Sequence, residues 1–145
     1  MSSYMHFFAR SDHDDFIQLD HFSRNNIIYT IVNSNANVSY GAINLIDNQI
    51  FKSCAAIAYG YISDAKSNIQ HYQDLIKQIS TFNNDIQDKL NAINDYKAII
   101  EECEQELDEF QYAENFFIML QNIQAPIYVG IECGSLVTLE NIKEE

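Results

Sequence analysis

The sequence predicts an α+β fold that is mainly α: a long antiparallel, coiled-coil-like helical hairpin with a small antiparallel β-sheet from the N- and C-terminal segments. Two observations predict this fold. All four glycines and the one proline lie outside residues 61–125, and apolar residues recur at intervals of three and four from position 46 to position 120. That interval is the period of a helix with one buried stripe, whereas the terminal segments carry the aromatic and β-branched runs typical of strands.

The length of 145 residues fits one domain with one core. We expect a single domain, 1–145, in which residues 1–45 form a β-hairpin and a short helix, 46–124 the helical hairpin, and 125–145 a strand and a short terminal helix. With 47% apolar residues, nine Phe and nine Tyr, the chain has the composition of a folded protein rather than of a disordered acidic tail.

The two helical arms are predicted over residues 46–79 and 86–120, on either side of a short break. Each run spans about five heptads, which favours a coiled-coil-like pair, and the short break makes the pair antiparallel. Asn84 and Gln87 have the spacing of a capping box, so the second arm should begin there. Gly60 is a candidate kink, because Gly costs about 1 kcal/mol relative to Ala inside a helix. Each arm would be about 50 Å long at helical rise, so part of it should project or pair with a second copy.

Three strand candidates lie near the termini. Residues 4–10 and 16–19 flank the polar turn 11–15 and predict a β-hairpin, while Ile127–Cys133 follows Pro126, which ends the second helix. We expect these three segments to form one small sheet.

The remaining terminal segments are less regular. The segment 23–34 fits a short capped helix, although its β-branched residues would also suit a strand, and we favour the helix. We expect a loop over residues 33–41 and a last helical turn over 139–145, capped by Thr138.

Acidic residues outnumber basic ones, with 21 Asp and Glu against 8 Lys and Arg and a formal net charge of -13. Such a charge repels nucleic acids and anionic membranes, and the cations are scattered singly, so we expect no direct nucleic-acid binding. The sequence shows neither a signal-peptide pattern nor an apolar run of membrane-spanning length. Three cysteines without a CxxC motif are typical of reduced thiols, so we expect a cytoplasmic protein without membrane association.

The sequence offers little for catalysis. It lacks the motifs of phosphate loops, dinucleotide sites, serine hydrolases and zinc proteases. If the two arms fold back between residues 83 and 84, Cys103 lies level with Asp64 and about 10 Å from the level of His71, so no Cys–His dyad is expected. We therefore expect no enzyme and no cofactor, and we expect Cys54 and Cys103 to be core residues.

Possible metal ligands are densest in and after the first turn. A hairpin could bring two imidazoles together among carboxylates there, although the spacing matches no standard metal site. The alternative is a solvated turn, because Asp side chains bond to nearby backbone groups in turns. We favour the turn and assign no metal, and the residues concerned are Asp12, His13, Asp14, Asp15, Asp20 and His21.

The segment 101–114 is the main candidate for a binding surface. It contains seven acidic residues, and no Lys or Arg occurs between positions 98 and 142. Like charges at helical spacing mildly destabilise a helix, so a purely structural helix gives no reason to concentrate them. The face either keeps the protein soluble or engages a basic partner, with carboxylates standing where phosphates would stand. The predicted partner-binding residues are Glu101, Glu102, Glu104, Glu106, Asp108, Glu109 and Glu114.

Small bacteriophage proteins of unassigned function resemble the opening of this chain, SSYMHFFARSDHDDFIQLDHFSRNN, and its Asn, Ile and Lys usage suits an AT-rich genome. The resemblance covers less than a fifth of the chain and carries no catalytic motif. It implies a context, the cytoplasm of a host cell, in which small acidic proteins often disable host defences. Anti-CRISPR proteins that occupy the basic nucleic-acid channel of a nuclease are an example.

Three functional hypotheses follow. The first is a non-enzymatic acidic inhibitor that binds a basic surface, such as that of a CRISPR nuclease, by nucleic-acid mimicry. The second is a structural protein, a homodimer whose hairpin buries its excess apolar length against a twin, with Tyr59, Tyr61, Phe116 and Phe117 in the interface. The third is a nucleotide or metal binder at the N-terminal sheet, where the residues around an anion would be His6, Arg10, His21 and Arg24.

Overall fold

The computed structural model describes residues 3–82, 85–133 and 142–143. The elements follow the order β1 (Ser3–Arg10), β2 (Phe16–Ser23), α1 (Ile27–Asn35), β3 (Ile43–Ile46), α2 (Asn48–Thr81), α3 (Ile86–Asn122), β4 (Ile127–Cys133) and β5 (Ile142–Lys143). The predicted fold class is confirmed, since two long helices form a hairpin and the terminal segments form a mainly antiparallel sheet.

The chain divides into two compact units. The sheet unit comprises Met1–Ile57 and Ala113–Glu145, and the hairpin unit comprises Ala58–Tyr112. The unit boundaries fall within the two long helices, so both α2 and α3 belong partly to the sheet unit and partly to the hairpin unit.

The predicted N-terminal β-hairpin is confirmed, because β1 and β2 pair antiparallel from Tyr4 with Ser23 to Arg10 with Phe16, with a bulge between Phe7 and Phe8. Ser11 closes the connecting turn: its backbone N–H donates to the carbonyl of Asp15 at 2.8 Å, and its Oγ accepts from the backbone N–H of Asp15 at 3.2 Å. Asp14 adopts a φ of 62°, a left-handed conformation that Asp tolerates better than most residues. The turn therefore owes its shape to local hydrogen bonds of its own polar side chains.

The sheet has the strand order β2-β1-β4-β3-β5. β4 lies between β1 and β3 and is antiparallel to both, so the three predicted strand segments share one sheet as expected. β3 was not predicted, because its four residues run directly into the helical periodicity and Ile46 fits the apolar stripe of the first arm. α2 accordingly begins at Asn48.

The predicted helical turn over 139–145 is wrong where the structure describes that segment. Ile142 and Lys143 form β5, which pairs parallel with Ile43 and Asn44 of β3. The rest of the segment, including the predicted cap Thr138, lies outside the described residues.

The preference for a helix over residues 23–34 is confirmed by α1. Asn26 is its N-cap, and the Oδ1 atom of Asn26 accepts a hydrogen bond from the backbone N–H of Ile28 at 2.8 Å. Burial of the apolar face of α1 offsets the low helix propensity of its β-branched residues. The buried residues are Ile28, Tyr29, Ile31 and Val32.

The core of the sheet unit centres on Phe7. Side chains of β1 alternate between buried and half-buried, as the period of a strand requires. The fully buried ring of Phe7 meets Phe22 of β2 and Phe116 of α3 edge-on, with centroids 5.9 and 5.0 Å away. The expectation that Phe116 and Phe117 are exposed in an interface is wrong: they are 6% and 0% exposed and belong to this core. Their burial depends on the sheet, which a helical period does not reveal.

Both predicted helical arms are confirmed, as α2 with 34 residues and α3 with 37. Two ring contacts within the hairpin unit show their antiparallel packing: Tyr61 stacks with Phe110 at 5.2 Å, and Tyr72 meets Tyr96 at 5.8 Å. α2 passes through Gly60 without interruption.

The start of α3 is set at Ile86. In its first turn the backbone N–H of Lys89 donates to the carbonyl of Asp85 at 3.0 Å. The predicted capping box includes Asn84, which lies outside the described residues.

Candidate functional site

The acidic segment lies on α3, where helical geometry places some of its side chains against α2 and others toward solvent. Cys103, Leu107 and Phe110 form the half-buried stripe, and the stacking of Phe110 on Tyr61 fixes which side of α3 packs against α2. Glu is a good helix former, so the acidic composition is compatible with the helix despite its like charges.

Six of the seven predicted partner-binding residues form one exposed set in the hairpin unit. We name this set the acidic face, and its members are Glu101, Glu102, Glu104, Glu106, Asp108 and Glu109. The seventh residue, Glu114, is half-buried and belongs to the sheet unit.

The acidic face carries more charge than the cations near it offset, the nearest on α3 being Lys97, four residues before Glu101. The ion pairs recorded in the described part of the chain join His6 to Glu132 at 2.8 Å and Arg10 to Asp14 at 3.5 Å, and neither involves α3. Uncompensated carboxylates at helical spacing repel one another and create a negative potential over the surface. This surface can attract a cation or a basic protein.

The charge density of the acidic face is close to that of a nucleic acid. Six charges over eight steps of helical rise span about 12 Å, or about 2 Å of axis per charge. Double-stranded DNA carries one charge per about 1.7 Å of its axis. The face therefore presents negative charge at nearly the axial density that DNA presents.

The two described cysteine thiols are poorly suited to nucleophilic chemistry. Burial raises the pKa of the Cys54 thiol from 9.0 to about 12. Burial also raises the pKa of Cys103, and the negative charges of Glu106 and Glu102 raise it further. Because the thiolate is the reactive form, both groups are held in the unreactive thiol form at neutral pH.

Residues proposed to surround an anion at the sheet are only partly brought together. His6 and His21 lie opposite each other on β1 and β2, and their rings stack with centroids 5.5 Å apart. The guanidinium of Arg10 lies over the rings of Phe16 and Tyr128, 5.3 and 5.9 Å from their centroids. The ring of Phe8 stacks beside His6, with centroids 6.3 Å apart, so the recorded neighbours of these cationic side chains include several aromatic rings.

The imidazole of His6 is engaged at both nitrogens. Its Nε2 atom is 2.8 Å from Oε2 of Glu132, and its Nδ1 atom is 2.8 Å from Nε2 of Gln18. Sequence reasoning missed Glu132 and Gln18 as neighbours of His6. The alternation of β4 places Glu132 and Tyr128 on one face of that strand, but the pairing of β4 with β1 had no signal of its own.

The turn residues proposed as metal ligands are mostly exposed and take part in local bonds. The Oγ atom of Ser11 accepts from the backbone N–H of His13, and the Oδ1 atom of Asp20 accepts from the backbone N–H of His21. Within residues 3–82, 85–133 and 142–143, no three His, Cys, Asp or Glu side chains are grouped closely enough to hold a metal ion.

A cavity of about 510 Å³ lies in the sheet unit, beside β3 and the start of α2. Asp47 is the one titratable residue among those that line it, and its Oδ1 atom caps α2 by accepting from the backbone N–H of Gln49 at 2.8 Å. The polar residues that line the cavity are Asn35, Asn37 and Asp47, and Asp47 is engaged as the cap of α2.

The fold and these surfaces define an α+β protein with an acidic helical hairpin. Among the described residues, no helix is both long enough and apolar enough to span a membrane. Comparison with protein families, with curated proteins and with solved structures gave no match.

Proposed function

We propose that this chain is a non-enzymatic interaction protein that binds a basic protein surface through the acidic face of α3. The observation that carries the proposal is the set of six exposed carboxylates without a cation partner in the described part of the chain. Complementary charge steers association and selects a partner of opposite sign, so the partner is basic.

The partner that this charge density favours is a nucleic-acid-binding protein. A surface that carries about one charge per 2 Å of axis competes for the same Lys and Arg side chains as a phosphate backbone. Bacteriophage inhibitors of host defence act in this way, and a CRISPR nuclease with a basic channel in the host cytoplasm is the specific target that we propose. Binding there would block the nuclease by nucleic-acid mimicry.

The position of the acidic face on a continuous helix supports this role. α3 is one unbroken helix, so the carboxylates keep a fixed spacing without the ordering cost of a disordered acidic tail.

The test is a pull-down from host lysate at about 0.1 M and about 1 M salt, where the Debye length is about 10 and 3 Å. We expect basic nucleic-acid-binding proteins to be captured at the lower salt and released at the higher. The captured partner is then purified, and its affinity is measured in the presence and absence of competing DNA or RNA. Capture that persists unchanged at the higher salt would contradict the proposal.

A matched pair of variants makes the test specific. Neutralising the acidic face with Glu102→Gln, Glu106→Gln and Glu109→Gln should weaken partner binding at least about tenfold, since several charge pairs are removed together. The control removes three exposed carboxylates of the β1–β2 turn, with Asp12→Asn, Asp14→Asn and Asp15→Asn, and should leave the affinity nearly unchanged. Equal effects of the two triple variants would show that only net charge matters.

A further inference from the structure

The part of the hairpin unit nearest the connection between α2 and α3 differs in charge from the rest of the chain. We name residues 66–82 and 85–99 the neutral segment. Its charged residues are four lysines, Lys66, Lys77, Lys89 and Lys97, and four aspartates, Asp74, Asp85, Asp88 and Asp95. Their formal charges cancel, so the whole net charge of -13 lies outside this segment.

The neutral segment also fails to bury its apolar side chains. Among residues 66–82 and 85–99 none is buried, although Ile, Leu, Tyr and Phe recur there at helical spacing. Phe82 is 53% exposed, Ile86 74% and Leu90 49%. In the remainder of the hairpin unit, by contrast, the same helix pair buries Ile62, Ala65 and Ile100.

Two helices alone leave their shared apolar stripe open along both sides, and exposed large apolar residues one helical turn apart, such as Ile86 and Leu90, are typical of an interaction surface. The apolar positions at intervals of three and four are those that a third or fourth helix would cover. The missing neighbour is therefore a helical surface with a similar apolar stripe.

We propose that the neutral segment is the surface through which two copies of this chain associate. Two molecules that each carry a charge of -13 repel one another over most of their surfaces. In the neutral segment a second copy brings four lysines as well as four aspartates, so that opposite charges can face each other around the apolar stripe. The occupant that fits both the apolar pattern and the charge balance is a second copy of the same hairpin.

This self-association is independent of the acidic face. The exposed apolar residue Leu90 lies 11 residues before Glu101 on α3, about 16 Å away at helical rise, so a dimer centred on Ile86 and Leu90 leaves the acidic face free. A dimer would carry two acidic faces, which raises the effective concentration of the second face once the first has bound.

The test is sedimentation velocity over a range of protein concentrations, with the mass of the full chain as reference. We expect the mass to rise with concentration from one chain to two, and we expect this association to persist at about 1 M salt because apolar burial is not screened. A mass of one chain at every concentration would overturn the proposal, whichever other partner the protein binds.

Paired variants locate the surface. Replacing Ile86 and Leu90 by Gln should weaken self-association at least about tenfold, because these large side chains are exposed in one copy and buried between two. The control replaces Ile118 and Met119, each 42% exposed on the part of α3 within the sheet unit, by Gln and should not change it. Circular dichroism of both double variants should show unchanged helix content, since exposed positions contribute little to folding. Equal weakening of self-association by the two double variants would show that the neutral segment is not the dimer surface.

A second pair of variants tests the charge argument. Lys77→Glu with Lys97→Glu makes the neutral segment acidic and should weaken self-association, with the defect shrinking at high salt. Arg24→Glu with Lys52→Glu applies the same change of charge at exposed positions outside the segment and should have a smaller effect. A larger effect of the outer pair would overturn the role of local neutrality. The triple variant Glu102→Gln, Glu106→Gln and Glu109→Gln should dimerise like the unaltered protein. This result would distinguish self-association from partner binding.

Discussion

The ring of Tyr61 on α2 stacks against the ring of Phe110 on α3, with centroids 5.2 Å apart and planes inclined by 27°. This contact sets the rotation of α3 within the hairpin unit. Because Phe110 faces α2, the adjacent Glu109, about 100° further round the helix, is turned toward solvent. One aromatic pair thus links the packing of the hairpin to the exposure of its acidic face.

Removing this pair should loosen the hairpin unit. We expect Phe110→Ala to lower the free energy of unfolding by about 1–3 kcal/mol, less than the loss for a fully buried Phe because Phe110 is half-buried. Urea unfolding followed by circular dichroism measures the loss. The control is Tyr59→Ala, at a position 64% exposed on the same helix as Tyr61, and it should change the free energy of unfolding by less than about 0.5 kcal/mol.

The core of the sheet unit should be more sensitive. Phe7 is fully buried and touches aromatic rings from β2, α2 and α3, so Phe7→Ala leaves a cavity that its neighbours fill only in part. We expect a loss of about 3–5 kcal/mol in the free energy of unfolding. Ile17→Ala, 55% exposed on β2, is the control and should have a small effect. A tolerated Phe7→Ala would show that the core is assigned incorrectly.

The N-cap of α1 can be tested by one substitution. Asn26→Ala removes the acceptor for the backbone N–H of Ile28 and should cost about 1 kcal/mol in the free energy of unfolding. The exposed neighbour Asn25 is the control, and Asn25→Ala should be nearly neutral. Similar losses at both positions would argue against capping by Asn26. The comparison uses the same thermal or urea unfolding assay.

The buried thiol of Cys54 predicts a loss of stability in base. Its pKa is about 12 in the folded protein against an ordinary value of 9.0, so the unfolded chain releases the proton first as the pH rises. The contribution of the thiol to stability is complete below pH 9 and is lost progressively between pH 9 and about 12. Cys54→Ala lacks this proton, and its stability should fall less steeply with pH over that interval. Parallel pH curves for the two proteins would contradict the assignment.

The same burial predicts slow alkylation of Cys54. At neutral pH iodoacetamide should modify the half-buried Cys103 faster than Cys54, whose thiol is fully buried and becomes accessible only when the structure opens. Mass spectrometry of peptides resolves the two sites. Addition of urea above the unfolding midpoint should make the rates similar, and equal rates in the folded protein would contradict the burial of Cys54.

The sequence by itself determined the elements whose signals are local. The intervals of three and four predict both arms of the hairpin because an amphipathic helix repeats its buried face every 3.6 residues. The polar turn after Arg10 and the aromatic and aliphatic runs on either side of it predict the β-hairpin, through turn chemistry and strand propensity. The acidic face was also predictable, since exposed positions on a helix follow from the position of its apolar stripe.

Tertiary structure alone decided the long-range pairings. β3 is too short to outweigh the helical pattern that follows it, and it is a strand because β4 offers it a hydrogen-bonding edge. Ile142 and Lys143 form a strand because they pair with the free edge of β3. The possible helix cap at Thr138 is a local signal and could not reveal this distant pairing. Phe116 and Phe117 look like any apolar pair on a helix, and only the sheet beneath α3 makes them core residues. Helical and turn signals lie within a few neighbouring residues, whereas strand partners and buried contacts join residues that are distant in the chain.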